Sequence, residues 1–161
     1  MPGGVTFRIP EAQLEFELPN ADWKLSDHRP ETETTALFYG FKRSAVTNPS
    51  GERIFPYIGV IVEHAGPNNG NWVEHYAIKQ PTLPPTKIER MLDFLEGEVG
   101  ALNAGGYKGH HELGGRPHTI FAIFALHDET ALTVIMDSTT DVFAQIEPEF
   151  LATLNSMRHY P

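Results

Sequence analysis

Cysteine is absent from this 161-residue chain. That excludes disulfides, a thiolate nucleophile and a cysteine-built metal cage, and it fits either redox compartment. Basic residues are scarce. Twelve Lys and Arg stand against 21 Asp and Glu, a formal net charge of −9. Phosphate binding needs a basic surface, so nucleic acid is not the expected partner. An anionic membrane surface is disfavoured for the same reason. No apolar run approaches the roughly 18 residues of a membrane span, so no integral membrane segment is expected. The opening residues, Met1 to Val5, do not form a signal peptide. As written the chain is expected in the cytoplasm; with a signal or lipid anchor removed it would be extracytoplasmic, and the compartment stays open. Catalytic signatures are also missing. There is no His-Glu-x-x-His, no Gly-x-Ser-x-Gly elbow, and no Gly-x-Gly-x-x-Gly or Walker spacing.

The rest of the composition is that of a globular protein, 40 % apolar and 20 % charged. The length suits one domain, residues 1–161, with a real core. Ile120 to Leu126 is apolar on both alternating sets, so this strand needs cover on both faces. Ala131 to Met136 behaves alike. His127 to Thr130 between them is a short polar turn, and the pair reads as an antiparallel hairpin. Phe143, Ile146, Phe150, Leu154 and Met157 make one helical stripe. Asp141 is its expected N-cap. Pro148 is expected to end a first short turn and open the main helix.

Upstream, Gln13 to Leu18 alternates as a half-buried strand, and Trp23 to Leu25 starts a second. Ser26 to Thr34 is polar and reads as loop. Residues 36 to 63 read as another hairpin, turning at Asn48 to Gly51, with Pro56 marking an edge or a bulge. Residues 65–71 form a loop. Asn71 and Glu74 resemble a cap, so Trp72 to Lys79 is expected to be helical, although its alternation also suits a strand. Thr86 and Glu89 look like a capping box, and Ile88, Met91, Leu92, Leu95 and Val99 make a helical face after it. Tyr107 to Leu113 is a polar strand that meets the central strand through a tight Gly114-Gly115 turn.

Grouped strands with helices between and after them argue an α+β fold. Phe16 to Leu25, with Leu18-Pro19 leading to Trp23, resembles the opening of PsbP-like proteins. Gly114 to Thr119 resembles the turn that enters their central strand. Ala131 to Met136, then Asp141 to Phe143 and Glu147 to Met157, resemble their last strand and closing helix. The resemblance implies an α/β/α sandwich around a mostly antiparallel β-sheet. That family includes the extrinsic photosystem II subunit, a Ran-binding nuclear import factor, bacterial lipoproteins and secretion-effector chaperones. It shares a scaffold and no single active site, so it implies a non-catalytic binding or accessory role through a protein partner. A homo-oligomer is compatible with this.

The alternative is a histidine-based metal-binding protein or metal-dependent enzyme. His64, His75, His110, His111 and His118 draw attention. His110 and His111 are adjacent on a strand, so they point to opposite faces and only one joins a given site. His118 lies across the glycine turn from them. Two imidazoles and a carboxylate would suit zinc, or manganese, although no cofactor is required by any motif. His127-Asp128 and Ser138 read better as turn and strand residues than as catalytic ones. Tyr39, Trp72 and Tyr76, with Phe38 and Phe41, are expected by default to pack in the core; the alternative is that they line a groove for a partner or ligand.

Overall fold

Ile120 to Leu126 is buried on both faces, as its unbroken apolar run requires. In the computed structural model, which describes residues 5–64, 72–92, 104–127 and 129–160, these residues form the middle of a long strand. The described strands are β1 (Thr6–Ile9), β2 (Leu14–Glu17), β3 (Trp23–Arg29), β4 (Leu37–Arg43), β5 (Val46–Thr47), β6 (Arg53–Ile54), β7 (Tyr57–His64), β8 (Lys87–Leu92), β9 (Ala104–Leu113), β10 (Arg116–His127), β11 (Thr130–Thr139) and β12 (Arg158–His159). The described α-helices are α1 (Trp72–Lys79) and α2 (Thr140–Ser156). Seven strands form one sheet in the order β3-β4-β7-β11-β10-β9-β8. Every neighbouring pair in it is antiparallel.

Alternation along β10 splits the core in two. Phe121 and Ile123, with Val134 and Met136 of β11, face α2, whose Phe143, Ile146, Phe150 and Leu154 are buried against them. The small sheet β1-β2-β12 closes that side with Ile9, Leu14 and Phe16. Ile120, Ala122 and Phe124 face the other way and join Tyr107 under Trp72 and Tyr76 of α1. Trp72 seats on bare backbone: a Cβ on Gly105 would fall 2.2 Å from its ring. One helix per face makes the α/β/α sandwich around an antiparallel sheet that the sequence predicts.

The helix predicted after Thr86 begins instead as strand β8. A bulge between Ile88 and Arg90 places Ile88 opposite Gly109 and Met91 opposite Tyr107, hence on one face. Residues three apart on one face imitate a helical stripe. Thr86 donates to the Pro84 carbonyl (2.8 Å), and Glu89 accepts from His110 across the sheet (2.7 Å), so neither caps a helix. Leu95 and Val99 lie outside the described residues, as do the 65–71 loop with Asn71, and Asp128. β3 runs through Arg29, further than the alternation suggests, because every side chain after Trp23 is exposed on an edge strand. β1, only four residues long, has a single buried side chain, Ile9, and so shows no clear alternation.

α2 is one continuous helix with Pro148 inside it. Ala144 and Pro148 lie on its exposed side, so the carbonyl that Pro148 leaves without a donor meets water. Its N-cap is Thr139, not Asp141. Asp141 sits in the first turn, where a carboxylate favours the helix dipole, and accepts from Asn48 (2.9 Å) and Thr139 (2.5 Å).

Glu149 of α2 ties the helix to the sheet. It accepts from the Trp23 indole (2.8 Å), from Asn20 (3.2 Å) and from both Nε and Nη2 of Arg43 (3.0 and 3.1 Å). Burial pushes its pKa up, but the bonds from Arg43, Trp23 and Asn20 outweigh it and hold the carboxyl below its ordinary 4.5. A depressed carboxylate stabilises the fold above its unfolded pKa, and that stability is lost as pH falls through the folded value. Glu149→Gln should therefore cost about 1–3 kcal/mol in urea unfolding at neutral pH. The difference from wild type should shrink as the pH drops below 4.5; a gap that is independent of pH would contradict the assignment.

Candidate functional site

The hairpin arithmetic of β9 and β10 builds the site. Gly114 and Gly115 adopt left-handed φ of 60° and 79°, which a two-residue turn of this kind demands. Counting outward from that turn pairs Arg116 with Leu113 and His118 with His111. Counting outward from the β10–β11 turn pairs His118 with Thr139 and Ile120 with Asp137. Asp137 is thus the diagonal neighbour of His118 on the same face. The sequence reading missed Asp137, a lone carboxylate ending an apolar strand. Pairing β11 residue by residue against β10 would have located it.

His118 Nδ1 lies 2.8 Å from Asp137 Oδ1, and His111 Nε2 lies 3.9 Å from the same oxygen. The two imidazole centroids are 5.5 Å apart, edge to face. One ligand atom from each of the three residues falls within 4.8 Å of the others. Tetrahedral zinc ligands stand roughly 3.3 Å apart, given metal–ligand bonds near 2.0–2.2 Å, so small side-chain movements suffice. The donor set of two imidazoles and one carboxylate matches zinc; manganese prefers oxygen donors.

His111 gives the site its tension. Its side chain is only 10 % exposed, and among the described residues neither ring nitrogen has a hydrogen-bond partner. An imidazole always carries at least one N–H, so a buried polar group goes unmet here. His118 and Asp137 are 14 % and 23 % exposed, which leaves a side open to solvent.

His110 is not part of this group. It points to the opposite face, where Nδ1 meets Thr119 (2.9 Å) and Nε2 meets Glu89 (2.7 Å). That bond from His110 holds the Glu89 carboxyl below its ordinary pKa. Of the remaining histidines, His64 pairs with Glu31 (3.2 Å) and His75 is buried against Thr133 (2.8 Å). Burial pushes the His75 pKa down.

The aromatics pack in the core, as the default reading has it, and the alternative of a shared groove fails because they are divided between two faces. Trp72 and Tyr76 pack together in the α1 layer, 6.1 Å between centroids. Tyr39 is buried in the α2-side core and stacks on His28 at 4.5 Å. A seven-stranded sheet separates them, since alternation on β4 sends Tyr39 and Phe41 to one side and Phe38 to the other.

No family model matches the chain, and no curated protein matches it by sequence. Solved structures do resemble it. A Pseudomonas aeruginosa protein of unknown function, described as a putative regulator, matches at TM-score 0.60 with 14 % identity over 99 % of both chains. The protein Mog1, as an E65A mutant, matches at 0.59 with 6 % identity over 98 % of this chain and 96 % of that one. Cyanobacterial PsbP from Synechocystis matches at 0.58 with 11 % identity over 99 % of this chain and 98 % of that one. At such identities the likeness shows the fold alone, and the fold is PsbP-like.

Replacing His111 removes an unmet polar group instead of a working one. His111→Leu should leave stability unchanged or raise it by up to about 1–3 kcal/mol when measured by thermal unfolding in a chelator. Clear destabilisation under those conditions would show that the imidazole is satisfied in the cation-free protein.

Proposed function

We propose that this chain is a non-catalytic binding domain that acts through contact with another protein. Phe55 carries this reading. It is 42 % exposed, whereas Phe41, Phe121 and Phe124 of the neighbouring large sheet are fully buried. The Lys42 ammonium stands 4.3 Å from its ring centroid and the Arg53 guanidinium 5.6 Å. A large aromatic held at the surface among cations has the make-up of an interface anchor. The PsbP-like scaffold supports the reading by analogy only. A photo-crosslinking amino acid in place of Phe55, in the native cells, should yield a discrete heavier species containing a partner or a second copy. Recovery of the uncrosslinked chain alone would count against the proposal, as would a catalytic turnover abolished by one polar substitution.

A second reading is favoured by the unmet His111: ligation of a divalent transition cation by His111, His118 and Asp137. The three side chains would hold the ion, and solvent would complete its shell through the open side near Asp137. When bound, such an ion supplies a Lewis-acidic centre or a structural clamp. Elemental analysis and zinc titration of the untagged protein should find one zinc per chain, with manganese weaker. His118→Ala should weaken zinc by more than the roughly 10–100-fold that outer-shell losses cost. His110→Ala should leave it unchanged. Equal losses in both variants, or no zinc binding, would remove this reading.

A further inference from the structure

The cation-flanked Phe55 sits on a larger feature. Lys24 of β3 is directly opposite Lys42 of β4, and Lys42 is opposite Tyr57 of β7. Like charges directly opposite in an antiparallel pair are destabilising. Among the described residues no ion pair is seen for Lys24, Lys42 or Arg53. The nearby Arg43 is committed elsewhere, to Glu149 (3.0 Å) and Asp22 (3.6 Å). A lysine on an edge strand commonly guards against strand pairing, which would account for Lys24 on β3. Lys42 lies on the inner strand β4, so guarding does not account for it. Three of the chain's 12 basic residues, Lys24, Lys42 and Arg53, therefore gather at one corner of a protein with net charge −9, without counting the paired Arg43. A shallow concavity of 350 Å³ opens there between Lys24, Lys42 and Phe55, and the one carboxylate in its lining, Asp22, is paired with Arg43.

We infer that this corner is the docking surface for an acidic segment of a partner protein. Carboxylates would lie between Lys24 and Lys42, relieving the repulsion across the strand pair, while an apolar side chain covers Phe55. Three properties select this occupant. The concentrated positive charge complements carboxylates. The exposed ring calls for an apolar contact that a free anion does not offer. The strongly negative remainder of the chain repels a long polyanion such as nucleic acid, whereas a short acidic segment stays within the positive corner at physiological screening lengths. This inference rests on the protein-contact reading and names the partner's chemistry.

The test uses the full chain and a capped hexapeptide, Glu-Glu-Leu-Glu-Glu-Leu, followed by amide chemical shifts. The peptide should perturb Lys24, Lys42 and Phe55, and the effect should fade at high salt. Lys42→Glu should weaken binding about tenfold or more. Lys42→Gln, which removes the charge at an exposed position without reversing it, should weaken it less, and it keeps the test valid if the reversal harms folding. Phe55→Ala should also weaken it. No binding, or binding indifferent to Lys42 and Phe55, would overturn the inference. Equal perturbation by inorganic phosphate would overturn it too, by showing a small-anion site. If the peptide fails while the Phe55 crosslink still captures a partner, the acidic assignment falls and the protein-contact reading stands. If both fail, both fall.

Discussion

Everything on the α1 face is positioned by the ladder that β10 makes with β9 on one side and β11 on the other. Ten residues of β10 pair on each side, in unbroken register. Its side chains from Ile120 to Leu126 are buried whichever way they point. A one-residue slip would exchange the two cores, sending Phe121 toward α1 and Phe124 toward α2, so packing and register fix one another. The tight Gly114-Gly115 turn sets that register at one end. His111, His118 and Asp137 meet only because the register holds on both sides of β10.

The same sheet face links the two surfaces of interest. Lys24, Lys42, Tyr57 and Asp137 occupy one cross-strand row, passing from β3 through β4 and β7 to β11. Neighbouring strands lie about 4.8 Å apart, so Lys42 and Asp137 stand on backbones roughly 10 Å apart. α1 packs on β9 and β10, toward Tyr107 and Phe124 and away from this row. The polar chemistry of the face therefore collects at the end that α1 does not cover. On the opposite face, α2 and the small sheet carry the larger core and anchor to the rest through Glu149 and Arg43.

The parts that were legible in the sequence are those where burial follows a simple period. The doubly apolar β10, its hairpin with β11, and the stripe from Phe143 to Met157 are of this kind; they suffice for an α+β fold, and the resemblance of Phe16 to Leu25 and Gly114 to Thr119 added the PsbP-like family. β8 misled because one bulge puts Ile88 and Met91, three residues apart, on a shared face, which is the spacing of a helix. Pro148 misled because the carbonyl it frees lies on the wet side of α2, while the buried stripe from Phe143 to Leu154 holds the helix together across it. His111 and His118 were legible as neighbours from the glycine turn alone. Asp137 needed a second register count, and the Lys24–Lys42 pair needed the pairing of strands separated by a loop. Neither appears in any local pattern of residues.

The most direct test of this account is to locate a bound ion. Crystals of the protein soaked in zinc, recorded at the zinc absorption edge, should show one strong anomalous peak about 2.0–2.2 Å from a ring nitrogen of His111, a ring nitrogen of His118 and an oxygen of Asp137. That result would establish the uncovered end of this sheet face as a built ligand site. Peaks confined to other pairs, such as His64 with Glu31 or His110 with Glu89, would contradict it.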